Sequence, residues 1–565
     1  MKIPQLEMKM EQETLSHPNH FGIDHYLFQD IYHLDGKKSK LNGLNFDGVS
    51  YSFSDIEKSV DYFAEVLSQK GVKKGDHVAL LGFNSYNWLV AFYAIIKVGG
   101  VAVLLNYMAR HETLVDLIQY TDCTFMCYGS YTAYRKNENE LKNLIQECQF
   151  DESKMISIED SSLNFKEILS KEEILPFTSP YTREEDSKRT SFIIFTTGTT
   201  AKPKAAMLSQ YSMMNIIYLN FSVLDPVFPK KFMCLLPLFH CFGLLVVNAY
   251  MAFQRTVYLN SLTDKVKIYK DFVKNKCGDY ASVSIIFDKL AKAPFWWLHR
   301  GRFVKHCIVG GGFTSEDEFD FLERKYGKGK FLNGYGQTEC SPMISLCYPN
   351  CPKDKQRYTV GTPMKGIELQ FMNPETKELL PPGQLGEILV KGYNVFNGYY
   401  KMEKELQPFD DNGYLHTGDL GYLDEDGYLV LNGRLKDIII RKGENISPKE
   451  IEEKLVEIDI FNRARVLGFP SVDEGEFILA CVELKKKPPH FDEDVYLDQL
   501  RKTLPAIKVP SHIIYMKYFP LTANGKIDEV KLREICLKKL VLFLDESLLV
   551  NKTKKLMEKK NIRCL

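Results

Sequence analysis

The chain contains 565 residues, of which 45% are hydrophobic and 26% charged, and its 73 basic side chains balance its 73 acidic ones. This length exceeds what one hydrophobic core supports, so two or more domains are expected in an ordinary globular protein. Because the net charge is zero, the basic excess typical of nucleic-acid-binding proteins is missing, and we predict no nucleic-acid partner.

The N-terminus is polar and mixed in charge, and it lacks the apolar segment that a signal peptide needs. The 13 cysteines are scattered without a complete zinc pattern, so we interpret them as reduced thiols. The most apolar stretch, 235–253, contains Pro237, His240 and Asn248 and predicts a buried element rather than a membrane span. The expected location is therefore the cytoplasm, without a membrane span.

The first half of the chain alternates helical and extended patterns. Apolar residues at helical spacing predict helices, and short apolar runs bounded by Gly or Pro predict buried strands. Strands that alternate with helices indicate an α/β fold of mostly parallel sheets covered by helices on both faces. The predicted helices are 54–71, 86–98 and 316–326, and the predicted strands are 77–82, 101–105 and 303–309.

The second half changes character. Residues from about 359 to 430 form short alternating runs broken by Gly, Pro and Asp, which are typical of antiparallel or barrel-like β structure. A boundary is predicted at Gly433, and beyond it a helix over 448–458 belongs to a small α/β unit. Ser447 as N-cap and Glu450 as its capping-box partner predict the start of that helix. The predicted organisation is a large N-terminal domain (1–433), a small mobile C-terminal domain (434–540) and a tail (541–565).

A loop rich in hydroxyl groups follows the apolar run 191–195. Its glycine lets the backbone approach a ligand closely, so that main-chain N–H groups and threonine hydroxyls converge on anionic oxygens while lysines add positive charge. The Gly-Lys-Ser/Thr ending of the common nucleotide-binding P-loop is absent. We nevertheless predict a phosphate-binding loop, which consists of Thr196, Thr197, Gly198, Thr199, Thr200, Ala201, Lys202, Pro203 and Lys204.

Further segments follow this loop in a characteristic order. They are 236–243, the triple glycine 310–312, 333–339, 414–421, 433–437 and 521–526. With them the chain resembles the acyl-adenylate-forming superfamily, which includes acyl-CoA synthetases, luciferases and the adenylation domains of peptide synthetases. The resemblance covers roughly residues 51–532, and it departs from the family pattern at Ala201 and Ala205, where glycine is usual.

The resemblance implies a site for ATP. The threonine-rich loop would hold the pyrophosphate portion, Tyr335 would pack on adenine and Thr338 would meet the phosphates. Glu339 would bind Mg²⁺, which prefers carboxylate and phosphate oxygens, Asp419 would bond the ribose hydroxyls and Arg434 would reach the ribose or a phosphate. The full set assigned to nucleotide binding is Thr196, Thr197, Gly198, Thr199, Thr200, Lys204, Gly310, Gly311, Gly312, Asn333, Gly334, Tyr335, Gly336, Gln337, Thr338, Asp419, Arg434 and Lys526.

The resemblance also implies an acid site and a moving lid. His240 would lie near the substrate carboxylate, and Lys526 would bridge that carboxylate and the α-phosphate. Lys436 matches the hinge between the two domains. The residues implied to be catalytic are Lys526, His240, Thr338 and Glu339, and the face presented in the thiol step is Gly443, Glu444 and Asn445.

The predicted activity is ATP-dependent formation of an acyl-adenylate from a fatty or aryl acid, followed by transfer to the thiol of coenzyme A. AMP and pyrophosphate are the expected products, and ATP, Mg²⁺ and coenzyme A the expected cofactors and co-substrates. A thiol on the phosphopantetheine arm of an acyl carrier protein is an alternative acceptor. Because of Ala201 and Ala205, a catalytically impaired nucleotide-binding homologue is a further alternative; a light-emitting oxidase ranks last.

Overall fold

The computed structural model describes residues 26–129, 138–159, 174–196, 203–227, 229–262, 265–293, 303–310, 316–471, 473–485, 491–521 and 527–543. The helices within these ranges are α1 (Gln29–Tyr32), α2 (Phe53–Gln69), α3 (Tyr86–Lys97), α4 (His111–Tyr120), α5 (Glu138–Glu147), α6 (Arg183–Lys188), α7 (Gln210–Asn220), α8 (Cys241–Ala252), α9 (Lys265–Asn275), α10 (Ser284–Ala291), α11 (Glu316–Tyr326), α12 (Lys353–Tyr358), α13 (Pro448–Val456), α14 (Glu493–Leu500) and α15 (Glu529–Phe543).

The strands are β1 (Asn42–Phe46), β2 (Val49–Ser52), β3 (His77–Leu81), β4 (Val101–Leu105), β5 (Phe125–Tyr128), β6 (Met155–Ser157), β7 (Thr190–Thr196), β8 (Lys204–Ser209), β9 (Lys231–Cys234), β10 (Thr256–Leu259), β11 (Asp279–Ser282), β12 (His306–Val309), β13 (Phe331–Tyr335), β14 (Ser345–Leu346), β15 (Thr362–Pro363), β16 (Ile367–Met372), β17 (Gly386–Gly392), β18 (Leu415–Leu423), β19 (Leu429–Arg434), β20 (Ile439–Arg441), β21 (Glu444–Ile446), β22 (Phe461–Ser471), β23 (Gly475–Leu484) and β24 (His512–Met516).

Two mostly parallel sheets form the frame of the larger part of the chain. Among the described residues, one has the order β6-β5-β3-β4-β7-β8 and is parallel except for the β7–β8 pair. The other has the order β15-β14-β13-β12-β11-β9-β10-β1-β2, parallel from β13 to β1 and antiparallel at both edges. Strand β4 is buried along its whole length, as expected for a strand covered on both faces. The predicted α/β class is confirmed.

Helices α3 and α8 join the two sheets. Both are apolar and buried along almost their entire length. The Tyr93 hydroxyl of α3 donates to Asn248 Oδ1 of α8 at 2.7 Å, and the Tyr250 ring of α8 stacks on Phe232 of β9 with centroids 4.0 Å apart. The apolar stretch 235–253 is thus a core element, as predicted.

Antiparallel structure follows. Strands β16 to β19 form a four-stranded antiparallel sheet in sequential order, which is the β region predicted at about 359–430. Strands β20 to β24 form a further sheet against which α13 packs through Ile451 and Leu455. Helix α15 closes that unit by packing Leu532 and Cys536 on it.

The predicted capping box at the start of α13 is wrong. Ser447 is the N-cap and Pro448 the first helical residue, but the Ser447 side chain makes no cap hydrogen bond. Its hydroxyl donates to Asn432 Oδ1 at 3.2 Å, while Glu450 pairs with Lys508 at 2.7 Å. Tertiary partners therefore bind both side chains that the local pattern assigned to each other.

A buried polar group anchors α8 to the sheet. Asp279, the first residue of β11, is fully buried and accepts a hydrogen bond from the Tyr250 hydroxyl at 2.5 Å. His306, the first residue of β12, lies 2.9 Å from its other oxygen. Burial raises the pKa of Asp279, although these partners oppose the rise. A buried carboxyl group needs such donors because desolvation without them is costly.

We predict that Tyr250→Phe lowers the free energy of unfolding by about 1.5–3 kcal/mol, since Asp279 loses a buried donor. Urea denaturation followed by circular dichroism measures it. Tyr269→Phe is the control, because the buried Tyr269 hydroxyl has no hydrogen-bond partner within the described ranges and its loss should not lower the free energy of unfolding. Equal effects of the two substitutions would contradict the assignment.

Candidate active site

The end of β13 carries a buried tyrosine–carboxylate pair. The Tyr335 hydroxyl donates to Asp419 Oδ2 at 2.7 Å, and Arg434 Nε lies 3.0 Å from Asp419 Oδ1. Asp419 and Arg434 face each other because β18 and β19 pair at that register. Asp419 is 7% exposed and Tyr335 8%, whereas the Arg434 side chain is half exposed. Three distant segments thus meet at one carboxylate.

The turn after Tyr335 is held at very close range. A Cβ on Gly336 would lie 1.8 Å from the Pro342 carbonyl oxygen, so the position accepts no side chain. Gln337 Nε2 donates to the Thr417 carbonyl at 3.3 Å. Thr338 and Glu339 then form a single 3₁₀ turn. The hydrogen bond from Gln337 brings the start of this turn next to the strand that carries Asp419.

Glu339 is held from a segment far away in sequence. Its carboxylate, 7% exposed, accepts a hydrogen bond from the Tyr399 hydroxyl at 2.5 Å. Its main-chain carbonyl accepts one from Phe396 N at 3.0 Å. A single buried carboxylate of this kind fits a Mg²⁺ ion, which protein sites usually bind through one or two carboxylates plus substrate phosphates.

The ends of the predicted phosphate-binding loop lie beside the same tyrosine. Thr196, the last residue of β7, pairs with Lys204, the first residue of β8. The Thr196 side chain is near the Tyr399 hydroxyl, and Lys204 Nζ lies 4.9 Å from the centre of the Tyr399 ring. The structure therefore brings Thr196, Lys204 and Glu339 together around Tyr399.

His240 begins α8. Its Nδ1 accepts a hydrogen bond from Phe242 N at 3.4 Å, so the ring serves as the N-cap. The preceding segment is held by Asn84, whose amide donates to the Leu236 carbonyl and accepts from Leu238 N, both at 2.8 Å. This capping role is compatible with the predicted contact to a substrate carboxylate, which stays a prediction.

The glycine turn after β12 is described only at Gly310. A Cβ there would lie 3.0 Å from Phe242 Cε1, so the glycine allows the aromatic ring to pack on the backbone. Asn333 uses its side-chain amide to donate to the Gln356 carbonyl at 2.8 Å, which is a structural role. Gly334 packs against Met343 and Leu346.

Several predicted residues lie outside the described residues. They are Thr197, Gly198, Thr199, Thr200, Ala201, Lys202, Gly311, Gly312 and Lys526. The residues on either side of the last loop, Leu521 and Ile527, pair with each other in a β-bridge, and Leu521 packs against the large core cluster that contains Tyr335. Lys436 is exposed in a 3₁₀ turn, and Gly443, Glu444 and Asn445 lie in the exposed β20–β21 hairpin.

A second carboxylate holds the turn that leads to Asp419. Glu387, 4% exposed, accepts a hydrogen bond from Gly418 N and contacts His416 Nδ1, both at 3.1 Å. Burial disfavours the charged form of Glu387, but the hydrogen bonds from His416 and Gly418 outweigh it and lower the pKa. The hydrogen bond to Glu387 raises the pKa of His416.

Sequence reasoning missed Tyr399, Asn84 and Glu387. Each acts on a segment that lies 29 or more residues away along the chain. Gly398-Tyr399-Tyr400 is a weak turn signal by itself, and no spacing links it to Glu339. The main-chain hydrogen bond from Phe396 N to the Glu339 carbonyl makes the two segments neighbours.

The comparisons with known proteins agree with this geometry. Residues 35–400 match the AMP-binding enzyme family, and residues 450–526 match the C-terminal domain of AMP-binding enzymes. The chain belongs to the AMP-binding enzyme family. The first of these matches alone spans more than half of the sequence, so the predicted superfamily is confirmed.

Relatives of this family member carry acyl-CoA ligase names. A putative acyl-CoA synthetase of Bacillus subtilis, YngI, is 29% identical over 511 residues, 86% of this chain and 92% of that protein. The mitochondrial medium-chain acyl-CoA ligase ACSF2 of Danio rerio is 27% identical over 519 residues, 88% of this chain and 85% of the relative. The prediction of an ATP-dependent acid–thiol ligase is confirmed at the level of the family and these relatives.

Solved structures share the architecture. ATP-bound MatB from Rhodopseudomonas palustris superposes with a TM-score of 0.78 at 25% identity, over 90% of this chain and 98% of that one. The o-succinylbenzoate CoA synthetase MenE of Bacillus subtilis, in complex with an acyl-adenylate intermediate, has a TM-score of 0.72 at 23% identity and covers 90% and 97%. The MenE likeness concerns the fold.

The location within the cell stays a prediction, since one of these relatives is named mitochondrial. Within the described ranges, no helix is both long and apolar enough to span a bilayer. The domain boundaries and the individual residue roles also stay predictions.

A pH dependence follows from the His416–Glu387 pair. A raised folded pKa means that His416 contributes stability at pH values below its unfolded pKa of about 6.5, and that this contribution disappears as the pH rises through the folded pKa. The lowered pKa of Glu387 has the opposite pH dependence. Its contribution to stability is lost as the pH falls below about 4.5 and through the folded pKa. We predict that the stability difference between the native protein and His416→Asn is largest near about pH 6 and shrinks toward about pH 8.

Urea denaturation at several pH values measures this difference. The same substitution in a Glu387→Gln background should show no pH dependence, because the double-mutant cycle removes the interaction. A difference that increases with pH would contradict the pairing.

Proposed function

We propose that the chain is an acyl-CoA ligase that converts a fatty or aryl acid into its acyl-adenylate with ATP and then into the acyl-CoA. The observation that carries the proposal is the buried Tyr335–Asp419 pair with Arg434 beside it. Tyr335 lies four residues before Glu339 in the sequence. In a member of the AMP-binding enzyme family, this group provides an aromatic face for adenine and a carboxylate for the ribose hydroxyls.

The reaction needs these groups because two anions must meet. The substrate carboxylate attacks the α-phosphorus of ATP, the bond to the pyrophosphate breaks, and the acyl-adenylate forms. A thiol then attacks the acyl carbon and AMP leaves. Positively charged and hydrogen-bonding groups of the chain offset the repulsion of the first step, and we assign this role to Lys204, Arg434 and Lys526.

Mg²⁺ fits the chemistry of Glu339. Among the described residues, no cluster of three or more His, Cys, Asp and Glu side chains could hold a metal ion. Glu339 would therefore hold the ion together with phosphate oxygens of ATP. When bound, the ion supplies positive charge that neutralises the phosphates.

The acid is proposed to be apolar. The name of the ACSF2 relative supports a medium-chain fatty acid as the first substrate to test. Coenzyme A is the proposed acceptor, and an acyl carrier protein is the alternative.

Two orientations of the C-terminal unit would serve the two steps. Lys526 would face the site during adenylation, and the 443–445 hairpin would face it during thioester formation. The exposed turn at Lys436 joins β19 to the C-terminal sheet, and a hinge at this place lets the small unit rotate without disturbing the sheets.

The test of the function is acid-dependent exchange of labelled pyrophosphate into ATP, over straight-chain acids of increasing length and a set of aromatic acids. Exchange with an apolar acid, followed by a product with the mass of its CoA thioester, is the expected result. Exchange without a CoA product would favour a carrier-protein acceptor. Absence of exchange with every acid would refute the proposal.

We predict that Lys526→Ala lowers acyl-adenylate formation about 10²–10³-fold, as expected when one preorganised positive charge is lost. Thioester formation from supplied acyl-adenylate should be retained, because the lysine acts in the first step only. Single-turnover assays of each half-reaction measure the two rates. Equal loss of both would contradict the two-orientation proposal.

A further inference from the structure

Tyr399 occupies the point where the proposed metal-binding carboxylate meets the base of the phosphate-binding loop. Its hydroxyl donates to Glu339 Oε1 at 2.5 Å with the Thr196 side chain nearby, and Lys204 Nζ lies 4.9 Å from the centre of its ring. The Tyr399 side chain therefore lies between the Glu339 carboxylate and the two residues at the ends of the loop.

The backbone around Tyr399 makes the same connection. Phe396 N donates to the Glu339 carbonyl at 3.0 Å. On the other side, Tyr400 N donates to the Ala205 carbonyl at 2.9 Å, and Tyr399 forms a bridge with Ala206. We call residues 396–400 the strap, since this segment hydrogen-bonds to both the Glu339 turn and strand β8.

The strap is itself fixed in place. The Gln407 side chain accepts from Tyr399 N at 2.8 Å and donates to the Tyr399 carbonyl at 2.9 Å. Gly398 adopts φ +94°, where a side chain would be strained, and it lies next to Gln407. The Tyr399 ring also packs edge-on against Phe396 with centroids 4.9 Å apart. A hydroxyl on such a support has little freedom to move.

The hydroxyl is a fixed donor to Glu339. A phenol carries its proton at neutral pH, so it donates to Glu339 Oε1 at 2.5 Å. Because a hydrogen bond to a charged group is directional, it restricts how the carboxylate can rotate.

We propose that Tyr399 is a positioning residue that holds the Glu339 carboxylate in the orientation needed to bind the metal ion of Mg·ATP beside the phosphate-binding loop. This inference rests on the proposed function, since it takes Glu339 as the metal-binding residue. It adds that the strap, which lies about 60 residues further along the chain, sets the affinity of that residue for the ion.

The chain supplies a matched control in the next residue. The Tyr400 hydroxyl also donates to a carboxylate, that of Asp122 at 2.8 Å, but this pair is at the exposed surface. Tyr399→Phe and Tyr400→Phe therefore each remove one tyrosine hydroxyl from one carboxylate. Only the first touches Glu339.

The experiment is a calorimetric titration of the full-length protein with ATP, once with Mg²⁺ and once with EDTA, and without any acid so that ATP is not consumed. The ratio of the two dissociation constants measures how strongly the metal ion improves ATP binding. Glu339→Gln serves as the reference for loss of the metal-binding group, and Tyr400→Phe as the control.

We expect Tyr399→Phe to reduce this ratio about 10-fold or more, the amount expected for a lost hydrogen bond to a charged group, with the affinity for metal-free ATP unchanged. Tyr400→Phe should keep the native ratio. An unchanged or larger ratio in Tyr399→Phe would overturn the proposal, and so would an equal loss of metal-free affinity, which would mean that the hydroxyl maintains the fold. Failure of the proposed function would give a different result, namely the absence of acid-dependent pyrophosphate exchange in the unmodified protein.

Discussion

Burial of carboxylates is the constraint on which the site depends. Glu339, Asp419 and Glu387 are each less than 10% exposed, and a buried charge is costly unless donors compensate it. Each has a donor from a separate part of the chain, namely Tyr399, Tyr335 with Arg434, and His416 with the Gly418 amide. These donors keep the carboxylates ordered before any ligand arrives, which reduces the reorganisation required when a nucleotide binds.

Much of the fold could be predicted from the sequence because its signals are local. Helix α3 and strand β4 were expected within one residue of their observed ends, since the mainly apolar segments on either side of Gly99-Gly100 leave few alternatives. The capping box at Ser447 failed because its two side chains bind Asn432 and Lys508, which are distant in sequence. A prediction from neighbouring residues in the sequence fails where partners from distant segments bind the same side chain.

The candidate site divides in the same way. Tyr335, Glu339 and Asp419 belong to short segments with recognisable composition, and the structure brings Tyr335 and Asp419 into direct contact. Tyr399 and Asn84 belong to segments without such a signature, and they reach the site through strand pairing and a buried amide. The sequence therefore identifies groups that would touch substrate more readily than groups that hold those residues in place.

The contacts described between the C-terminal unit and the antiparallel sheet are of a particular kind. Asn445 donates to Glu375 at 2.5 Å, Ser447 donates to Asn432, and the Lys449 ammonium donates to the Leu431 carbonyl. Polar groups of this type exchange a protein partner for a water molecule at little net cost in free energy. Separation of an apolar interface would instead expose apolar surface to water, which is unfavourable. Water can therefore replace these partners at little net cost, so these contacts would present no large energetic barrier to the proposed rotation of the C-terminal unit.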